Sequence, residues 1–400
     1  MIRSNYVIPA LACLWLPLYA VPPAAPLGVF EDNADVGTVL HAGSVEYDSA
    51  KRTYTVAGSG ENMWFAADAL HFAWKKVSGD VTLSANISFI GTGGNAHRKA
   101  VLMIRQSLEA DSAYADVAVH GSGLTSLQAR DEKGATTHEV QSAVSAPARV
   151  RIARRGDYFY MWLAGPGEDL RMAGGSMRVP LHDPFYVGIG VCSHDKDVVE
   201  KAVFSNVDLA APPAGSGQPV LYSTLETVPI SSGDRRVVYV AAERLASPRW
   251  SPDGAWLIFK RKGHTERVPA AGGEPSVVDT VGADAAPDSE YIYFQSDRAG
   301  SMQIWRARSD GGGPEQVTSG DFQNCFPHVS PDGKQMVFLS YAKNVSGIPE
   351  DQDVMLRLMS LGDRKVKVLA RLVGGKGTID APSWSPDSRS LAFVSYELIQ

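Results

Sequence analysis

One pattern constrains this chain more than any other: a proline-aspartate turn that returns four times in its C-terminal half. Pro252-Asp253-Gly254, Pro287-Asp288-Ser289, Pro331-Asp332-Gly333 and Pro386-Asp387-Ser388 are the four copies. Each is followed by an apolar run: Trp256-Leu257-Ile258-Phe259, Tyr291-Ile292-Tyr293-Phe294, Met336-Val337-Phe338-Leu339 and Leu391-Ala392-Phe393-Val394. Proline presets φ at the corner, and Asp and Gly suit the positions after it. The run reads as a strand buried on both faces. The prolines are 35, 44 and 55 residues apart, the last interval holding an insertion near 344–353. Units of this length that cannot bury both faces alone must stack on their neighbours, which is the logic of propeller blades. The expectation is a small β-propeller over 220–400 with four countable blades. Strands near 221–229 and 236–240 would complete the blade whose inner strands lie in 383–396.

The preceding half has a different grammar. Residues 28–209 alternate at period two, as in Val81-Thr82-Leu83-Ser84-Ala85-Asn86-Ile87, with further strands expected at 100–105, 114–120, 126–130, 150–153, 159–163 and 186–191. Gly91-Thr92-Gly93-Gly94-Asn95, Gly121-Ser122-Gly123 and Gly165-Pro166-Gly167 supply turns. No long stretch has a helical period, so an all-β chain with an N-terminal β-sandwich is expected. Between the halves, 210–219 holds Pro, Gly, Ala and Ser without a large apolar side chain and reads as a linker. Residues 1–25 have the order of an export signal: Arg3 without acids, an apolar run over 7–19, then small residues. That run is too short for a membrane span. A periplasmic or secreted protein follows, with lipidation at Cys13 left open.

These residues carry two family resemblances. The Pro-Asp-Gly repeat, with Ser296-Asp297-Arg298 after one of the apolar runs, resembles the TolB-type β-propeller repeat. Members generally carry more blades than four, and 279–284 would be the scar of a lost pair. Residues 28–209 resemble the concanavalin A-like sandwich superfamily, in the form fused ahead of secreted TolB-like propellers. The carrying stretches are Phe72-Ala73-Trp74-Lys75-Lys76-Val77-Ser78-Gly79-Asp80, His97-Arg98-Lys99-Ala100-Val101-Leu102-Met103-Ile104-Arg105 and Val203-Phe204-Ser205-Asn206-Val207. TolB itself has a different N-terminal domain, so its envelope contacts do not transfer with the repeat.

Composition and motifs exclude several functions. Lys+Arg number 38 against 44 Asp+Glu, a net charge of −6, which argues against a nucleic-acid binder. Three cysteines, one in the leader, give neither a disulfide framework nor a cysteine zinc site. There is no Gly-x-Ser-x-Gly elbow, no second histidine after His138-Glu139, and no P-loop spacing around Gly374-Gly375-Lys376-Gly377-Thr378. Sandwich glucanases place acids at alternate positions of one strand. Glu109-Ala110-Asp111 is the nearest approach, and it sits at a turn. No cofactor, catalytic residue or metal site is expected.

Two polar constellations remain. By alternation Tyr114, Asp116 and His120 share one strand face, Ser126, Gln128 and Arg130 a face of the next, and Arg105 ends the strand before. Together they would form a solvent-facing patch suited to sugar hydroxyls, with His71, Trp64 and Trp74 as a rim. In the propeller, Arg249, Asp284, His328 and Ser383 each lie three residues before a turn proline and would converge on the channel. Gln323 with His328 faintly resembles the metal site of oligogalacturonate lyases, and His194 stands beside Asp195 and Asp197. The reading is an exported, non-catalytic binding or scaffold protein of the cell envelope, holding glycan or protein partners. The alternative is a carbohydrate-active lyase or hydrolase with its site at the channel.

Overall fold

The period-two segments become strands, and strand follows strand without a helix among the described residues. The computed structural model describes residues 27–212, 218–278, 290–309 and 312–399. The export signal, Cys13, most of the linker, Asp284 and the 279–284 segment lie outside them. Among them no helix is long and apolar enough to cross a membrane.

Seven strands form one sheet, ordered Arg171–Arg178, Tyr158–Ala164, Arg149–Arg155, Val81–Phe89, Asp195–Ala210, Thr53–Gly60 and Ser44–Asp48. A ten-stranded sheet faces it. Its order begins Asp32–Val36, Leu70–Val77, Phe185–Cys192, Lys99–Arg105, Tyr114–His120, Thr125–Arg130 and His138–Gln141. Val56, Leu83, Ile152 and Phe204 of the first sheet pack on Leu102, Val117, Leu127 and Ile189 of the second, all fully buried. Alternation explains this core: Val117 and Val119 point inward while Tyr114 and Ala118 point to the other side.

The larger sheet does not stop at the linker. His138–Gln141 pairs in parallel with Arg235–Ala241, Val140 opposite Arg235. That strand pairs with Val220–Pro229, which pairs along its whole length with Ser390–Ile399. The early strands after the linker thus complete the last repeat, as the pattern requires. Of the segment expected to supply inner strands, only Ser390–Ile399 is a strand, and the 383–384 stretch contributes an isolated bridge, Trp384 to Leu391.

Among the described residues, three smaller sheets make up the rest of the repeat region. They are Leu245–Trp250 through Ser276–Val277 with four strands, Tyr291–Ser296 through Glu315–Gln316 with three, and Phe322–Val329 through Val366–Gly374 with four. The Ser-Pro-Asp corner is built alike three times. Ser251, Ser330 and Ser385 donate to the carboxylates of Asp253, Asp332 and Asp387 at 2.5–2.6 Å. The same hydroxyls accept the amides of Trp256, Gln335 and Ser390 at 2.9–3.0 Å. The next position is left-handed each time: Gly254, Gly333 and Ser388. Neighbouring corners touch, since the Asp332 amide donates to Ser388 Oγ at 3.0 Å.

Candidate functional site

The six sandwich residues do share one face. Arg105 and Arg130 flank Tyr114, Asp116 lies opposite Gln128, and His120 opposite Lys99. The face is not open to solvent, and here the sequence expectation is corrected. Arg105, Tyr114, Asp116, Gln128 and Arg130 are wholly buried, and His120 is 5% exposed. The cover comes from the Met63–Trp64 and Ala67–Asp68 hairpin, distant in sequence, and from the adjoining loops near 106–113 and 131–137. His71 and Trp74 are buried too and form no rim. His71 is held between Asp35 at 2.7 Å and Asn33 at 2.9 Å.

Asp68 is the centre of the covered layer. Its carboxylate accepts Arg130 Nη2 at 2.8 Å, Arg130 Nη1 at 3.0 Å and Arg105 Nη2 at 3.3 Å. Arg105 Nη1 meets the Met103 thioether at 3.7 Å, and other guanidinium hydrogens go to loop carbonyls. Arg105 donates to Ser107 and Glu109, Arg130 to Phe65, Ser112 and Ala135. Burial pushes the Asp68 carboxyl up against the pull of the two arginines. This is a clamp that fastens loops to a sheet, because buried charge is tolerated only when paired and hydrogen-bonded. The signal for it was an acid isolated in Phe65-Ala66-Ala67-Asp68-Ala69-Leu70.

One row further along, partners run out. Neither oxygen of Asp116 has a hydrogen-bond partner among the described residues, nor do Gln128 Oε1 and His120 Nδ1. Burial holds the Asp116 carboxyl well above its ordinary range. Burial, then Lys99, His97 and His194, pushes the His120 imidazole down to about 3. Glu109 and Asp111 instead meet Lys133 at the surface, as a solvated loop does.

The propeller candidates are only partly brought together. His328 Nε2 contacts the Ile379 carbonyl at 2.5 Å, and its own carbonyl accepts Trp384 Nε1 at 2.9 Å. His328 is thus bound to the segment that carries Ser383, itself fully buried. Arg249 lies on the Leu245–Trp250 strand, opposite Ile258. Gln323 spends its amide on the loop carbonyls of Lys343 and Val345, away from any shared site with His328. Among the described residues, no three histidine, cysteine or acidic side chains stand ready to hold a metal.

Sequence reasoning also missed the seam between the halves. Glu226 and Glu397 are fully buried on adjacent strands and share Ser395 Oγ, at 2.6 and 3.3 Å. One cation, Arg235, stands 3.4 Å from Glu226. Burial, then the neighbouring Glu226, raises the Glu397 carboxyl to about 8. Opposite, Tyr158 donates to Asp353 at 2.5 Å and Gly175 N to Thr224 Oγ1 at 3.0 Å. A cavity of about 250 Å³ opens beside the seam, bordered by Asp131, His138, Arg178, Arg235 and Arg371.

Comparison with known proteins bears on the C-terminal region. The TolB β-propeller domain family matches residues 216–365. An uncharacterised protein of Agrobacterium fabrum is 45% identical over 115 residues, 29% of this chain and 39% of that protein. A TolB homolog of Chlorobium luteolum is 26% identical over 106 residues, 26% of this chain and 22% of that protein. The chain therefore spans well under half the length of these curated relatives. Among solved structures, a TolB-assigned protein from Agrobacterium tumefaciens aligns at 26% identity and a TM-score of 0.40, covering 46% of this chain and all of that one. By the family match, residues 216–365 are similar to the TolB β-propeller domain.

Proposed function

We propose that this chain is an exported, non-catalytic binding or scaffold protein of the cell envelope, which holds a protein or glycan partner through its sandwich and propeller. The observation that carries the reading is the TolB-type match over residues 216–365. The resemblance of residues 28–209 to concanavalin A-like sandwiches supports a second recognition module, and the 1–25 pattern supports export. The charged side chains of the covered sandwich face are reached by neither a substrate nor a partner, so the reading does not rest on them. Arg105, Arg130 and Asp68 are consumed by one another and by loop carbonyls, whereas a catalytic acid or base must reach substrate.

The test uses the full mature chain. Photo-crosslinking in its native host from exposed Phe322 and Arg371 should trap discrete envelope proteins, and a glycan array should return any sugar partner. Incubation with envelope and plant polysaccharides should release no new chain ends. Release of unsaturated or reducing ends would replace this reading with the lyase or hydrolase alternative. N-terminal sequencing from that host should find a start between about 21 and 28, and an intact Met1 would remove the export step.

A further inference from the structure

A phenyl ring stands out in water at the tip of the hairpin that covers the polar face of the larger sheet: Phe65 is 66% exposed. Met63 pairs with Asp68 and Trp64 with Ala67, so Phe65 and Ala66 form a two-residue turn. Phe65 is left-handed, φ 53°, and Ala66 is not. Turns with only the first central residue left-handed ordinarily place glycine there. A bulky aromatic in that conformation is an outlier. The chain accepts backbone strain at the very residue whose ring it leaves unburied.

Buried chemistry holds that strain in place. The Phe65 carbonyl accepts Arg130 Nε at 3.2 Å and Nη2 at 3.1 Å, and Thr137 N at 3.0 Å and Oγ1 at 3.1 Å. Both legs of the hairpin are fastened as well. Asp68 is held by its two arginines, and the Met63 carbonyl accepts the Lys99 ammonium at 2.9 Å. A residue keeps a sparsely populated backbone only where its surroundings over-determine it, and such places cluster at ligand sites. The buried clamp therefore presents Phe65 on a fixed turn, which lowers the ordering cost of binding through it.

We propose that the Trp64-Phe65-Ala66-Ala67 turn docks a protein partner whose apolar pocket, bordered by lysine or arginine, receives the Phe65 ring. The proposal rests on the reading of the chain as a binding protein, and names one surface and the partner chemistry that fits it. Interfaces centre on aromatic side chains that lose their water, ringed by polar groups. Ala66 and Ala67 beside the ring are exposed and too small to hold a partner off. The ring of polar groups is acidic. The loops that meet the turn carry Glu109, Asp111, Asp131 and Glu132, all exposed or half-buried, against one lysine, Lys133, which Glu109 and Asp111 share. Hydrogen bonds join these loops to the hairpin and to each other. Asp68 N donates to the Ala110 carbonyl at 2.9 Å, Gly134 N to that of Asp111 at 2.8 Å, and Arg130 Nε to that of Ala135 at 3.1 Å. Arg105 and Arg130 beneath are shielded from solvent. Four carboxylates around an apolar tip favour a basic protein surface and oppose an anionic membrane.

The experiment puts a photo-crosslinking phenylalanine analogue at position 67 of the full chain in its native host and maps the adducts by mass spectrometry. One partner protein is expected, joined at an apolar surface with lysine or arginine beside it. With that protein purified, Phe65→Gly should weaken binding by more than about tenfold. Glu132→Lys should slow association at low salt and have little effect at high salt. Glycine suits the left-handed turn, so Phe65→Gly should melt close to the parent and the loss belongs to the ring. No adduct from position 67 would overturn this surface; adducts from positions 322 or 371, or a glycan hit, would then leave the binding-protein reading standing. An adduct to lipid or to a second copy of the chain, a crosslinked surface without basic residues, or parental affinity in Phe65→Gly would overturn it as well.

Discussion

Asp68 holds two guanidiniums with no water between them, so its removal tests the covered sandwich face most directly. Asp68→Asn keeps the shape but leaves Arg105 and Arg130 buried without a counter-charge, and should cost about 3–5 kcal/mol. Urea unfolding measures this, and a loss under about 1 kcal/mol would mean the arginines find other acceptors. Arg130→Ala should be comparably damaging, whereas a solvent-facing patch would have tolerated it. In the corner motif, Ser330→Ala removes the donor to Asp332 and the acceptor for Gln335 N–H, with an expected cost of about 1–2 kcal/mol by thermal melt. The alternation Tyr114, Asp116, Ala118, His120 was legible because side chains on a strand alternate regardless of context. What covers that face was not, because period two assigns a side and says nothing of distant segments. The hairpin containing Asp68 lies 37 residues before Arg105 and 62 before Arg130, a separation that no local pattern reports.

At the scale of strands, the repeat turns were readable because Ser-Pro-Asp makes its own hydrogen bonds within five residues. The strands that follow them needed only an apolar run. Pairing across the linker was partly readable. Val220–Pro229 was expected beside Ser390–Ile399, but the parallel pairing of His138–Gln141 with Arg235–Ala241 has no sequence signature at all. Its energetic weight is visible in the core, where Val237 and Val240 of the later strand pack with the sandwich residues. A fragment ending at residue 209 should therefore expose the His138–Gln141 edge and lose that packing. Deleting 220–241 should unpair Ser390–Ile399 as well. Both truncations should self-associate in size-exclusion chromatography, because an unpaired strand edge recruits another chain. A monomeric, cooperatively melting 28–209 fragment would show that the seam is dispensable to the sandwich.

For the whole molecule, the seam should make stability depend on pH. Glu397 titrates at about 8 in the folded chain and in the ordinary carboxyl range when unfolded, so the fold favours its protonated form. The stabilising contribution is complete at acid pH below the unfolded value and is lost as pH rises through about 8. Glu226, raised in the same sense, adds to the trend. Melting temperature should fall between pH 5 and pH 9, and Glu397→Gln should flatten the fall; an unchanged slope in Glu397→Gln would place the titration elsewhere. The parallel pairing across the linker also has a mechanical meaning. A tether on the sandwich and a load on the propeller would pull through Val140 and Gln141 against Arg235 and Arg236, bonds that lie side by side in one sheet. Parallel strands drawn from opposite ends share a load in shear, so tension reaches every bond of the ladder together. The sandwich sheet and the strands after the linker are thus one continuous sheet, so a pull between the halves is carried by backbone hydrogen bonds as well as by the linker chain.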